Sequence, residues 1–193
     1  MTQAAGSRDV SVVVVARDRA ALTLRCLTAL AKLPDEPSFE VILVDDGSQD
    51  ETPALLSAVE GDLVALRNDQ PVGFAAACDQ AVDTASGEGL VILHDDAVPC
   101  DGWMQALVAA LASDGGVGAV LPRSVDLEGN FLAEPHWLAL GVRRAAYQRA
   151  GGFAGTARAG RAEKATLLEA LRDAGWEVVE ERDALLLLVP ESG

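Results

Sequence analysis

Short apolar runs alternate with helix-like patterns at a regular interval along most of this chain. Five runs rich in Val, Ile, Leu and Ala lie at Val10–Ala16, Phe39–Val44, Leu63–Leu66, Leu90–Leu93 and Gly118–Leu121. The segments between them repeat apolar residues at spacings of three and four, as a helix with one buried face does. Strands separated by helices pair in parallel through crossover connections. The pattern therefore predicts an α/β fold with a mainly parallel central sheet and helices on both faces.

The last third of the chain is less regular. Helices are predicted at Arg143–Ala150 and Arg161–Ala174, and short strands at Trp176–Glu180 and Leu185–Val189. No internal repeat, low-complexity tract or linker interrupts the sequence. Because 193 residues is an ordinary length for one domain, we expect a single domain over residues 1–193.

Three helix starts are predicted from residues that commonly cap helices. Asp18 follows the first strand and is expected to cap the next helix, and Asp101 is expected to cap the helix that runs through Leu111. Thr52 followed by Pro53 predicts a third start, because a hydroxyl caps the first turn and proline suits the first helical position.

Charge excludes two classes of partner. The chain has 15 Lys and Arg residues against 30 Asp and Glu residues, which gives a formal net charge of −15. A protein that binds nucleic acid needs a basic surface, and the sequence has no Lys or Arg cluster to provide one. The same argument disfavours binding to anionic lipid. We therefore predict that neither nucleic acid nor a membrane surface is the partner.

The cysteines and the apolar runs bear on location. Cys26, Cys78 and Cys100 lie far apart and lack the spacing of a metal site, which is typical of reduced thiols. The first ten residues lack the apolar core of a signal peptide. The longest apolar runs are far shorter than the ~18–20 residues that span a bilayer. These features predict a cytoplasmic protein without a transmembrane segment.

Two acidic pairs follow predicted strands, Asp45-Asp46 after the second and Asp95-Asp96 after the fourth. Ligands of open α/β sheets bind at the carboxyl ends of the strands, where both pairs are expected. Adjacent carboxylates repel each other, and a cation or a ring of hydroxyl donors relieves the repulsion. Mg²⁺ and Mn²⁺ prefer carboxylate oxygen and often bind phosphate oxygen as well. The pairs therefore favour a metal-held nucleotide or sugar phosphate, with solvated turn and capping residues as the alternative.

The residues also resemble those of the family 2 glycosyltransferases. The matching segments are SVVVVARDR, EVILVDDGSQDET, RNDQPVGFAAACDQAV, LVILHDDAVPCDGW, GVGAVLPR, GVRRAAYQRAGGF and LLEALRDAGWEVV, in the order and at the spacings of the family. The resemblance covers almost the whole chain. It implies the A-type glycosyltransferase fold, which is Rossmann-like, and an activity that transfers a sugar from a nucleoside diphosphate to a hydroxyl acceptor.

The resemblance also implies roles for residues of the nucleotide site. The segment from Val15 and Ala16 to Asp18 would line the base and the ribose. Asp46 corresponds to the aspartate that recognises the base. A wall beside the base would include Arg67, Gly73 and Asp79.

The acidic motif of the family matches His94-Asp95-Asp96. Asp95 would face the ribose or the sugar, and Asp96 would bind the divalent metal, Mn²⁺ or Mg²⁺, that holds the diphosphate. His94 itself is expected to pack at the strand end rather than to bind metal. UDP- and dTDP-sugars are the usual donors of the family, and the transfer would proceed with inversion.

Two positions depart from the family pattern. Where the family places a Glu-Asp pair whose Asp is the proposed general base, this chain has Glu163 followed by Lys164. Where many members carry a histidine after the final strand, this chain has Leu188. Three interpretations stay open: Glu163 serves as the base, Lys164 supplies positive charge to the diphosphate, or the chain is an inactive homologue that binds a nucleotide sugar or acts as a scaffold. The acceptor and the oligomeric state are not predicted.

Overall fold

The computed structural model describes residues 8–59, 63–132, 138–154 and 162–189. Eight strands form one sheet, in the order β3-β2-β1-β4-β7-β6-β8-β5. The strands are β1 Val10–Ala16, β2 Phe39–Asp45, β3 Leu63–Arg67, β4 Gly89–His94, β5 Ala97–Pro99, β6 Val117–Val125, β7 Ala139–Arg143 and β8 Glu177–Leu188. The helices are α1 Ala20–Leu30, α2 Thr52–Ala58, α3 Phe74–Thr84, α4 Trp103–Ala112, α5 Arg144–Arg149 and α6 Ala162–Asp173.

Parallel pairing joins the four strands β1 to β4, which form one half of the sheet. β1 lies between β2 and β4 and is parallel to both, and β3 is parallel to β2. The other half is mixed, because β7 is antiparallel to β4 and β6, while β8 is parallel to β6 and antiparallel to β5. The predicted α/β class with a mainly parallel sheet is thus confirmed, and its antiparallel strands are an addition.

Helices cover both faces of the sheet. Along β1, Val12 and Val14 pack with α1 and α4 on one face, and Val13 packs with α3, α5 and α6 on the other. Both faces are buried, which explains why β1 is apolar at every position except Ser11 instead of alternating. Trp103 at the start of α4 is fully buried in the first of these two cores.

Two of the strands, β5 and β7, were not predicted from the sequence, and a third, β8, was predicted as two strands. Only the two-residue turn Asp95-Asp96 separates β5 from β4, and β7 runs straight into α5, so neither strand stands out as a separate apolar run. The two predicted C-terminal strands are one strand, β8, which continues through the charged residues 180–183 because its register against β6 shifts near Pro122 and Arg123. A bulge of this kind lets a strand carry residues that break the apolar pattern.

The predicted caps Asp18 and Asp101 are wrong. The predicted start of α2 at Thr52 is right, but the acceptor at this helix start is the Asp50 carboxylate and not the Thr52 hydroxyl. The N-cap residues are Arg19 for α1 and Gly102 for α4, and neither forms a side-chain hydrogen bond to its helix. Asp50 is the acceptor at two helix starts, because its carboxylate accepts hydrogen bonds from the backbone N–H of Ala20 at 2.9 Å and of Thr52 at 2.9 Å. One aspartate from the loop after β2 therefore serves α1 and α2 together. Asp18, expected as the cap of α1, has a left-handed backbone instead.

Among the described residues, no helix is both long and apolar enough to cross a lipid bilayer.

Gly118 in β6 lies against Trp176, which precedes β8. A Cβ atom at position 118 would lie 2.5 Å from the Cβ of Trp176, an atom that cannot move without the backbone. We therefore expect Gly118→Ala to lower the free energy of unfolding by about 1–3 kcal/mol, the usual cost of overpacking. Denaturant unfolding measures this, with Gly115→Ala as the matched control because its Cβ would meet no atom within 4 Å. Equal stability of the two variants would contradict the prediction.

Candidate functional site

The carboxyl ends of three adjacent parallel strands bring the predicted site residues together. β1 ends at Ala16, β2 at Asp45 and β4 at His94, and the three strands lie side by side in register. The loop after β1 therefore meets the acidic residues that follow β2 and β4. This edge is where open α/β sheets bind ligands.

His94, Asp95 and Asp96 form the acidic cluster at the end of β4. Each offers one nitrogen or oxygen atom that could coordinate a metal, and these atoms lie within 4.8 Å of one another. Asp95 is buried, and the other two residues are half-buried. The Oδ1 atom of Asp96 is buried and has no hydrogen-bond partner among the described residues. A buried carboxylate oxygen without a donor is costly, so the cluster is incomplete as it stands.

The chemistry of this cluster fits a divalent cation. Two carboxylates and an imidazole are ligands that Mn²⁺ accepts, and the carboxylates alone suit Mg²⁺. The unsatisfied Oδ1 atom of Asp96 provides an oxygen that a cation would satisfy. Asp96 and Asp95 are therefore the residues that would hold such an ion, as the resemblance implied for Asp96.

Arg19 contacts both carboxylates of the cluster, which sequence analysis did not anticipate. Its Nη1 atom lies 3.4 Å from Oδ1 of Asp95 and 3.3 Å from Oδ2 of Asp96. The Arg19 side chain is 38% exposed, whereas that of Asp95 is 6% exposed. A single arginine in a charged loop carries no periodic or motif signal, so only the three-dimensional arrangement identifies it.

Burial raises the pKa of Asp95 from 3.8 to about 6. The Arg19 guanidinium opposes this rise, and the neighbouring charge of Asp96 adds to it. Two like charges in a largely dry place disfavour ionisation of both. A strongly perturbed carboxylate at a strand end is typical of a functional site.

We expect Asp95→Asn to be more stable than the native protein above about pH 6, by about 1–3 kcal/mol, since a tenfold change in proton affinity corresponds to about 1.4 kcal/mol. Asp95 holds its proton more tightly in the folded chain than in the unfolded chain. The free energy of unfolding of the native protein therefore falls as the pH rises from about 4 to about 6, and below about pH 4 this loss is absent.

Denaturant unfolding of both proteins from pH 4 to pH 8 measures this difference. The advantage of asparagine should grow through that window and then become constant. A difference that is independent of pH would contradict the raised pKa. Asp101→Asn, at an exposed residue five positions from Asp96, is the matched control and should follow the native protein.

His94 takes part in an aromatic contact as well as in the acidic cluster. Its ring stacks on Phe74 with 5.2 Å between ring centroids, and Phe74 contacts Phe153 edge to face. Phe153 in turn contacts Tyr147 in the same way. The predicted packing of His94 is present, and it holds the imidazole beside the carboxylates instead of removing it from them.

Asp46 is fully engaged by the loop before α3. Its carboxylate accepts hydrogen bonds from the backbone N–H of Val72 at 2.8 Å and of Gly73 at 2.9 Å, and from the side-chain amide of Asn68 at 3.0 Å. Asp46 is 2% exposed. Gly73 has a φ of 91°, a conformation that favours glycine. Asp46 therefore fixes the wall that Gly73 was predicted to form, and base recognition by Asp46 stays a prediction.

Arg67 forms an ion pair with Asp45, the first member of the same acidic pair. Its Nη2 atom also donates to the backbone oxygen of Ser48 at 3.2 Å. Asp45 is completely buried and accepts a hydrogen bond from the backbone N–H of Ser48 at 2.9 Å. The guanidinium of Arg67 is thus committed to the turn after β2, although its side chain is exposed beside the predicted base site.

The loop after β1 is held by the turn after β2. The backbone N–H of Asp18 donates to Oγ of Ser48 at 3.0 Å, and the Asp18 carboxylate accepts a hydrogen bond from the backbone N–H of Gln49 at 2.7 Å. Asp18 has a φ of 54°, which is uncommon for an aspartate and is stabilised by these bonds. Val15 is half-buried and Ala16 is completely buried, so only Val15 of these two has surface that a ligand could contact.

Asp79 in α3 holds the turn that follows α5. Its carboxylate accepts hydrogen bonds from the hydroxyl of Tyr147 and from the backbone N–H groups of Phe153 at 3.1 Å and Ala154 at 2.7 Å. Burial and the Asp79 carboxylate raise the pKa of Tyr147. All contacts described for Asp79 are structural, so the predicted role of this residue beside the base is untested.

Residues 163 and 164, predicted as the base and its neighbour, lie in the first turn of α6. Their side chains lie outside the described part of the chain. Leu188, at the position of the family histidine, pairs with Ala97 of β5. The next residue, Val189, donates its backbone N–H to the backbone oxygen of Asp96 at 3.0 Å. The chain therefore places an apolar side chain next to the acidic cluster at this position.

A sequence model described as glycosyl transferase family 2 matches residues 11–168. The O-antigen biosynthesis protein RfbC of Myxococcus xanthus is 37% identical over 118 residues, which is 60% of this chain and 9% of that protein. The chain spans between 9% and 36% of the length of the curated relatives it matches.

Solved structures share the fold over nearly the whole chain. A mannosyltransferase from Pyrobaculum calidifontis, in complex with GDP-Man and Mn²⁺, has a TM-score of 0.77 and 23% identity, over 96% of this chain and 58% of its own. GalNAc-T7 with UDP, GalNAc and Mn²⁺ has a TM-score of 0.78 and 14% identity, over 96% of this chain and 44% of its own. At these identities the likeness shows the fold alone.

Proposed function

Since the chain belongs to glycosyl transferase family 2, we propose that it binds a nucleoside-diphosphate sugar and transfers the sugar to a hydroxyl acceptor with inversion. UDP- and dTDP-sugars are the proposed donors, and a divalent cation assists. Two structural neighbours support a donor of this class, since one is in complex with GDP-Man and the other with UDP and GalNAc. Both also contain Mn²⁺, which supports the divalent cation. A cytoplasmic location and a single domain remain predictions.

The observation that carries the proposal is the acidic cluster at the carboxyl end of β4. It combines a buried carboxylate with a raised pKa, a second carboxylate with an unsatisfied buried oxygen, and an imidazole held by an aromatic stack. A purely structural turn has no need for an unsatisfied buried oxygen. These features fit a site that is completed when a cation and a diphosphate bind.

Different residues have different roles in the proposed transfer. Asp95 and Asp96 would hold the cation, which would stabilise the negative charge of the departing nucleoside diphosphate. Asp46 orients the loop that bounds the base site, through its bonds to Val72 and Gly73. Glu163 takes the proton from the acceptor hydroxyl as that oxygen attacks the anomeric carbon.

Calorimetric titration with UDP, dTDP and GDP, each with and without Mn²⁺, tests the donor site. We expect binding of at least one diphosphate that depends on Mn²⁺. Tight binding that is independent of metal would overturn the metal-assisted part of the proposal. Absence of binding under every condition would overturn the transferase proposal.

One sequence observation favours a second candidate, an inactive homologue that binds nucleotide sugar or acts as a scaffold. Lys164 stands where the family places the aspartate that is its proposed base, and an ammonium group cannot accept a proton. Hydrolysis of UDP-glucose and dTDP-glucose, measured as the release of UDP or dTDP with water as the acceptor, separates the two candidates. The inactive homologue would be favoured if the native protein binds the nucleotide sugar but releases no more nucleoside diphosphate than a heat-inactivated sample does.

A further inference from the structure

Arg19 occupies the place between the two carboxylates of the acidic cluster. A single atom, Nη1, contacts Asp95 at 3.4 Å and Asp96 at 3.3 Å, so one positive charge is shared by two negative ones. The Arg19 side chain is partly exposed, and it reaches the cluster from the loop between β1 and α1. A partly exposed arginine that is held at its guanidinium can change partners by side-chain rotation, without unfolding the loop that carries it.

We propose that Arg19 is a displaceable counter-cation, which neutralises Asp95 and Asp96 before the donor binds and then turns its guanidinium to the diphosphate of the donor. The proposal rests on the proposed function, because the diphosphate and the divalent cation belong to it. It assigns Arg19 two successive partners at one site.

Competition for oxygen atoms supports the first half of the proposal. Arg19 contacts Oδ1 of Asp95 and Oδ2 of Asp96, and it leaves the buried Oδ1 of Asp96 without a donor. A divalent cation at these carboxylates and a guanidinium at the same place repel each other, and the repulsion is strong where water is scarce. The cation also satisfies the oxygen that the arginine leaves unsatisfied. The exchange therefore favours release of Arg19.

Two other arginines of the described chain are already engaged by other groups, which supports the second half. Arg67 is paired with the buried Asp45 and bonded to Ser48, and Arg123 lies 3.7 Å above the ring of Phe131. A chain with a net charge of −15 repels an anionic donor at long range, so a local positive charge is needed. Guanidinium groups bind phosphate oxygens well, in pairs of parallel hydrogen bonds. Once released, Arg19 is beside the place where the diphosphate is expected.

Titration of Mn²⁺ without nucleotide tests the first half, with free Mn²⁺ measured by electron paramagnetic resonance. We expect Arg19→Gln to bind Mn²⁺ about tenfold more tightly than the native protein, because its competitor is gone. Arg25→Gln is the matched control, since it removes the same charge from an exposed residue of α1 that lies six positions from Arg19. This control should stay within about twofold of native. Equal affinity of Arg19→Gln and the native protein would overturn the competition.

Titration of UDP at saturating Mn²⁺ tests the second half. We expect Arg19→Gln to bind UDP about tenfold more weakly, while its affinity for uridine, which has no phosphate, is unchanged. Unchanged affinity for UDP would overturn the transfer of Arg19 to the diphosphate, and equal losses for UDP and uridine would overturn it as well. If dTDP or GDP is the diphosphate that the native protein binds, it takes the place of UDP, with its own nucleoside as the control.

Arg19→Lys keeps the charge and guards against a folding defect. It should bind Mn²⁺ within about threefold of native, and thermal unfolding should be cooperative for all three variants. If the native protein binds no diphosphate, the proposed function fails and the diphosphate half fails with it. The Mn²⁺ titration still decides the counter-cation half in that case, so the two failures are distinguishable.

Discussion

The Asp96→Asn variant will bind its nucleoside diphosphate in the presence of Mn²⁺ about 100-fold more weakly than the native protein. The substitution removes the charge of the residue that offers an unsatisfied buried oxygen, and an amide is a much poorer ligand for a hard cation than a carboxylate. A 100-fold loss corresponds to about 2.7 kcal/mol of binding free energy. Calorimetry with the native and variant proteins, with and without Mn²⁺, measures it.

Asp101→Asn is the control for this loss. It removes the same charge from an exposed residue close in sequence, and it should bind within about twofold of native. The affinity measured without Mn²⁺ should be similar for native protein and Asp96→Asn. Mn²⁺-dependent binding that survives in Asp96→Asn would show that the cation is held elsewhere.

The Glu163→Gln variant should lose about 10²–10⁴-fold in kcat while its donor affinity stays unchanged, because removal of a general base slows the proton transfer and leaves the ground state alone. Diphosphate release from the donor sugar that the native protein hydrolyses measures kcat. Calorimetry with the matching diphosphate measures donor affinity.

Lys164→Gln is the matched control for Glu163→Gln, since both variants change a charged residue to glutamine in the same helical turn. We expect Lys164→Gln to keep most of the turnover. Full turnover in Glu163→Gln would exclude Glu163 as the base. Weaker binding of the diphosphate in Lys164→Gln would support the interpretation in which Lys164 supplies charge to the donor.

Buried parallel strands were predictable from the sequence because both faces of each strand are covered. The predicted bounds of β1, which is apolar except at Ser11, and of β2, whose last residue is Asp45, differ from the structure by at most one residue. Their geometry then brings the acidic pairs to one edge. β7 was not predicted, since it is continuous with α5 and its antiparallel pairing depends on residues of β4 and β6 that are distant in sequence.

Contacts within the candidate site were less predictable than its location. Asp95 and Asp96 were recognisable because two adjacent carboxylates end an apolar run. Arg19 was missed because its partners lie 76 and 77 residues away. Asp50 was missed as the acceptor at two helix starts for a similar reason, since one of the two lies 30 residues earlier.

The bonds of Asp46 bear on any attempt to change which nucleotide the proposed donor site prefers. One buried carboxylate receives three donors from a single loop, so the same atoms that would read a base also keep that loop folded. An engineer who replaces Asp46 to change the preferred donor therefore changes the shape of the pocket at the same time. Variation of the exposed Val72, whose side chain takes no part in these bonds, leaves the loop anchored and is the better starting point for a library.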